Sequence, residues 1–260
     1  MRAAKPTAVA AAVAACLLAG LASAQFWGRE HSVTIDSGPP EAEFHMARLA
    51  YAAAGCAGSK GTCNPWWAID YPDAEAHFLP AVSRMTRIDV AADSRHLVLS
   101  DEHLFDYPWL FLQQPGQGRW HPVGQDLANL REYLQRGGFL VVDDFHGEGE
   151  WQEFAEAITD VLPGHPIVDI PEGDPLMHIL FDLDRRTQIP GERHLYGMRM
   201  AGPPHWRGMY DDKGRLMVAM NHNIDMGDAW EHADDPRYPT AMTATAYRFG
   251  VNYVIYAMTH

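Results

Sequence analysis

Residues 137–151 read GGFLVVDDFHGEGEW, and the fold turns on this stretch. Phe139, Leu140, Val141 and Val142 form a continuous apolar run, the pattern of a central parallel strand covered on both faces. The run ends in Asp143, Asp144 and His146. Beyond Gly147, the residues Trp151, Phe154, Ile158 and Val161 recur at the spacing of one buried helical face. Upstream, Leu127, Leu130 and Leu134 share another such face, and Gly137 stands where a helix C-terminus favours glycine. Helix, buried strand and helix in succession predict βαβ units around a parallel sheet.

The same alternation extends in both directions. Residues 44–51 (FHMARLAY) alternate like a strand. Residues 73–86 carry Phe78, Leu79, Val82 and Met85 at helical spacing, with Pro72 suited to the first turn, Asp70 to the cap, and Pro80 as an interruption. Residues 97–99, 109–112, 167–170 and 215–220 are further strand-like runs, and residues 240–258 form a C-terminal helix rich in aromatics. Residues 185–208, rich in Gly, Pro, Arg and His, read as an irregular excursion. The expectation is one α/β domain over residues 43–260 with a mostly parallel central sheet.

Ahead of it, Arg2 and Lys5 precede an apolar stretch from Ala8 to Leu21. Ala22-Ser23-Ala24 then supplies a signal-peptidase pattern. Residues 1–24 are therefore expected to be a cleavable signal, cut after Ala24, and residues 25–42 an extended lead-in. Val13-Ala14-Ala15-Cys16 also fits a loose lipid-attachment box, but the apolar stretch continues past Cys16. The expected destination is periplasmic or secreted, with no transmembrane span in the mature chain. The net charge of −14 argues against nucleic acid, whose phosphates require Lys and Arg. In an oxidising compartment Cys56 and Cys63 are candidates for a disulfide closing a Gly-rich loop, with two unpaired thiols as the alternative.

Ligands of open α/β sheets bind outside the carboxyl ends of the strands, which makes Asp143, Asp144 and His146 the candidate catalytic groups. A second strand end, NHNIDMGDAWEH at residues 221–232, offers Asn221, Asn223 and Trp230 to a ligand. It also offers Asp225, Asp228 and Glu231 to a divalent metal. Gly227 and Glu231 fall one place off the positions an EF-hand requires. A third stretch, residues 64–78, offers Trp67, Tyr71 and Asp70 as an aromatic wall with a carboxylate beside it. No G-x-G-x-x-G after a strand, phosphate-binding loop, G-x-S-x-G elbow or HExxH pair is present.

Six stretches together resemble a bacterial family known as domain of unknown function 4159. They are ARLAY (47–51), DYPDAEAHF (70–78), LFDYPWLFL (104–112), LREYLQRGGFLVVDDFHG (130–147), GRLMVAMNHNIDMGDAWE (214–231) and YRFGVNYVIYAMTH (247–260). The resemblance implies membership of the class I glutamine amidotransferase-like superfamily and a flavodoxin-like three-layer α/β/α sandwich. An amidotransferase carries its cysteine on an elbow after a central strand, whereas this strand runs into Asp143-Asp144-Phe145-His146. Acyl transfer by a thiolate needs that nucleophile beside a base. The leading expectation is a ligand- or partner-binding domain of the cell envelope. The alternative is a hydrolase working through Asp143, Asp144 and His146, either unaided or with a divalent metal.

Overall fold

The computed structural model describes residues 33–56, 64–183 and 185–260. The expected signal, residues 25–32 of the lead-in and Cys63 lie outside the described residues. Cys56 is disulfide-bonded. Residues Thr34–His260 form one compact unit.

Five strands run parallel: β1 (Ala47–Leu49), β2 (Arg95–Leu97), β3 (Trp109–Gln113), β4 (Phe139–Phe145) and β7 (Leu216–His222). β5 (Val168–Asp169) and β6 (His205–Tyr210) add antiparallel pairs, giving the order β2-β1-β3-β4-β7-β6-β5. Strands β3, β4 and β7 are buried along their whole length. That burial explains why they read as unbroken apolar runs rather than alternating ones.

Side chains of successive strand residues enter opposite cores. Trp109, Phe111, Phe139 and Val141 pack with Phe78, Trp230, Phe249 and Tyr253 from helices α1 (Asp73–Met85), α5 (Met226–Glu231) and α6 (Thr240–Thr259). Leu110, Leu112, Leu140 and Val142 pack with Leu130, Leu134, Phe154 and Ile158 from α2 (Gly124–Gln135) and α3 (Gly147–Val161). Helices cover both faces, as in a three-layer α/β/α sandwich. A short α4 (Glu192–Leu195) interrupts the excursion before β6. No described helix is long and apolar enough to cross a membrane.

Three local expectations are refined. Helix α1 runs unbroken through Pro80, which lies on its exposed face. Asp70 does not cap α1 with its side chain; its backbone is left-handed at φ 65° and its carbonyl accepts from the Ala74 amide. Strand β4 continues through the acids to Phe145, with a register shift against β7 between Val142 and Phe145. Asp144 supplies the irregularity with φ 56°. Strict alternation would put Phe145 on the face of Phe139 and Val141, yet it joins the opposite core with Leu140 and Val142. An extra residue in one strand produces such a change of face.

Candidate functional site

The carboxyl ends of β3, β4 and β7 converge with the loop before α1 on a cluster of acids. Asp143 is fully buried, and its carboxylate has defined structural partners. Its Oδ2 accepts from the amides of Met226 (2.7 Å) and Gly227 (3.1 Å), and its Oδ1 accepts from Asn221 Nδ2 at 3.1 Å. Asn221 Oδ1 in turn accepts from the Tyr253 hydroxyl at 2.7 Å. Burial and the neighbouring Asp144 push Asp143 up to about 7, against the opposing effect of these hydrogen bonds. Asp143 thus anchors α5 to the sheet.

Asp144 points elsewhere because of its left-handed backbone. Its Oδ1 meets His146 Nε2 at 3.0 Å, and its Oδ2 accepts from Gln114 Nε2 at 2.5 Å. Burial works to raise Asp144, but the hydrogen bond and charge of His146, with Gln114 and Asp225, bring it below its ordinary value. Burial likewise opposes a charged His146, and here too the Asp144 hydrogen bond and charge prevail, holding the imidazole above its ordinary pKa. The His146 ring lies 4.7 Å from that of His194. Both Nδ1 atoms are buried without a hydrogen-bond partner among the described residues.

Asp225 begins α5, where its Oδ1 accepts from the Asp228 amide at 2.9 Å. Asp228 Oδ2 accepts from the Glu192 amide at 2.6 Å. Asp70 reaches the cluster through Gln113 Nε2, which donates to its Oδ2. The approach is close: a Cβ built on Gly227 would collide with Asp70 and Gln113, and one on Gly191 with Asp225. Burial, then the charges of Asp228, Glu231 and Asp144, raise Asp70 well above the carboxylate range. Burial, then Asp144, Asp228 and Asp70, do the same to Asp225. Glu231 is pushed up to about 7 by burial and Asp228.

Four sets of potential ligand atoms among the described residues therefore overlap, each within 4.8 Å: Asp144, His146 and Asp225; Asp70, Asp225 and Asp228; Asp228, Glu231 and His232; and Glu192, His232 and Asp235. Asp225 belongs to two of them and Asp228 to two. So many buried carboxylates can persist only with protons or a cation among them. The donor set is mainly carboxylate oxygen, which suits hard divalent ions, with imidazole nitrogen at its edges.

The other candidates lie outside the cluster or brace it. Asn223 Oδ1 accepts from the Gly147 amide at 2.8 Å, and its Nδ2 donates to Pro203 O at 2.8 Å, tying the β7 end to α3. Trp230 is buried and stacks on Phe78 at 4.1 Å. Trp67 is 5% exposed, and Tyr71 sits edge-on to His96 at 4.8 Å. The sequence reading passed over Gln113 and Gln114. Their signal was an amide pair at the end of an apolar run, the same pattern that marked Asp143 and Asp144. It also passed over Arg48, a charge inside the strand-like ARLAY stretch.

Fold and site define a mostly parallel α/β domain with an acid-rich cluster at its strand ends. Residues 45–258 match the family model described as Domain of unknown function (DUF4159), and the chain belongs to that family. No curated protein matches the chain.

Proposed function

We propose that the strand-end cluster is a divalent-cation centre and that the chain is a metal-assisted hydrolase. The observation that supports this most is the convergence of Asp70, Asp144, His146, Asp225 and Asp228, drawn from three separate stretches of sequence, into overlapping ligand sets. Asp70, Asp225 and Asp228 would hold the cation, and Asp144 would orient His146. A bound divalent ion supplies Lewis acidity and lowers the pKa of a water. His146, hydrogen-bonded to Asp144 and held above its ordinary pKa, would be the general acid that donates a proton to the leaving group. Asp143 is a positioning residue through α5. The reading places the protein in the periplasm or outside the cell, following the signal read in residues 1–24.

A second reading is a cation-organised ligand- or partner-binding domain of the cell envelope. It is favoured by the absence of a Ser or Cys nucleophile at residues 143–146. Turnover separates the two. The protein, purified without chelator, is incubated with p-nitrophenyl acetate, p-nitrophenyl phosphate and bis(p-nitrophenyl) phosphate, with magnesium, manganese, calcium or zinc. The hydrolase reading expects metal-dependent release from at least one ester, reduced roughly a hundredfold or more in folded His146→Ala. Cation binding without turnover of any ester would overturn that reading and leave the binding domain.

A further inference from the structure

A cleft of about 650 Å3 opens beside the acid cluster without including it, lined by Tyr51, Leu99, Arg119, Trp120, His121 and Val123 among others. Its position follows from topology. The chain passes from β1 outward to β2, then returns across β1 to β3 on the other side. The loops after β1 and β3 therefore diverge, and this is the switch point where doubly wound sheets form their ligand crevice. Ala50 and Tyr51 follow β1, Leu99 follows β2, and residues 118–123 follow β3. The volume lies in the range of small-molecule sites.

The lining mixes apolar side chains with the polar Tyr51, Ser100, His121 and Asp126, and Arg119 is its one fixed cation. Leu99 and Trp120 are buried, and Val123 is 67% exposed at the rim. The Arg119 guanidinium lies 3.8 Å over the Trp66 ring, and Trp66 Nε1 donates to Ala54 O at 3.0 Å. Arg119 also donates to Gln117 Oε1 at 2.7 Å and to Gln114 Oε1 at 3.4 Å. Six other arginines among the described residues, Arg48, Arg95, Arg136, Arg207, Arg215 and Arg237, each face a carboxylate. Among the described residues, no carboxylate lies within ion-pair distance of Arg119. In so acidic a chain an arginine held by a ring and two amides, with guanidinium donors to spare, is arranged for an anion from outside. Asp126, exposed in the first turn of α2, is the carboxylate of the lining and is solvated.

We propose that this cleft binds a small organic anion, with its carboxylate or phosphate on Arg119 and its apolar body against Leu99, Trp120 and Val123. Gln114 connects the cleft to the acids: its Nε2 donates to Asp144 and its Oε1 accepts from Arg119. Anion binding here requires no cation in the cluster, so it stands or falls separately from the hydrolase reading.

The test is calorimetric titration of chelator-treated protein at low salt with benzoate, phenyl phosphate and neutral benzyl alcohol. At least one anion is expected to bind, with the preferred one telling carboxylate from phosphate, and benzyl alcohol at least roughly tenfold more weakly. Arg119→Gln should weaken the bound anion roughly tenfold or more, Arg119→Lys less, and Arg136→Gln on the far end of α2 should leave it unchanged. The thermal transition of each variant reports its folding. Failure of both anions to bind the wild type, equal binding of benzyl alcohol, or undiminished binding by folded Arg119→Gln would each overturn the proposal.

Discussion

Asp144 occupies a backbone conformation that costs most L-residues energy, and Asp is among the few side chains that tolerate it. The left-handed turn separates two adjacent carboxylates, sending Asp143 to α5 and Asp144 to His146. Nearby His222 shows the opposite environment. Arg207 NH1 donates to its Nδ1 at 3.3 Å, while its Nε2 donates to Gly147 O at 3.0 Å, a pattern that only the neutral ring satisfies. Burial, reinforced by Arg207 and His205 against the Gly147 hydrogen bond, pushes His222 down to about 4. An unfolded chain protonates the same ring near ~6.5. Between those values the unfolded state binds the extra proton, so stability falls as pH drops through that window. Urea unfolding from pH 7 to 4 should show this decline, and His222→Gln should flatten it; an unchanged slope contradicts the assignment. His146 and Asp144 were legible in the sequence because titratable groups seldom close an apolar run. The division of labour between Asp143 and Asp144 was not, because one left-handed residue decides it and Asp carries no local signal for that choice.

The loop before α1 is held by one buried ion pair. Arg48 on β1 bonds Glu75 on α1 through both Nε and NH2, and its NH1 reaches Trp67 O, Ile69 O and Gln113 Oε1. Its side chain is fully buried. A single guanidinium thereby ties strand, loop, helix and the Gln113–Asp70 contact together. Removing one partner leaves an uncompensated buried charge, so Glu75→Gln should cost about 3–5 kcal/mol in chemical denaturation, and Arg48→Met with Glu75→Leu should recover much of it. A loss below roughly 0.5 kcal/mol for the single variant would contradict this role. The long apolar elements, β3, β4, α2, α3 and α6, were readable from their periodicity. The antiparallel β6, inside a stretch rich in Gly, Pro and His, was not, because its pairing with β7 comes from the tertiary fold. Helix α5 has no periodic signal of its own, because its six residues owe their form to Asp143 and Asp225 at its start.

Among the described residues, the carboxyl ends of the parallel strands carry both candidate sites. The acid cluster sits at the ends of β3, β4 and β7, the cleft at the ends of β1, β2 and β3, and Gln113 and Gln114 join them. The order of the strands brings three distant acidic stretches together, and no spacing within any one of them reveals it. Asp225 belongs to both the Asp144–His146 set and the Asp70–Asp228 set, so its loss should disable cation binding as a whole. The most direct measurement is titration of EDTA-stripped, dialysed protein with manganese, followed by calorimetry and by the thermal transition. Saturable binding is predicted, with a rise of roughly 5–10 °C at about a hundredfold excess over Kd. Folded Asp225→Asn should show neither. No binding heat and a shift below about 1 °C with manganese, magnesium, calcium and zinc alike, or equal binding by Asp225→Asn, would contradict a cation centre at this strand end.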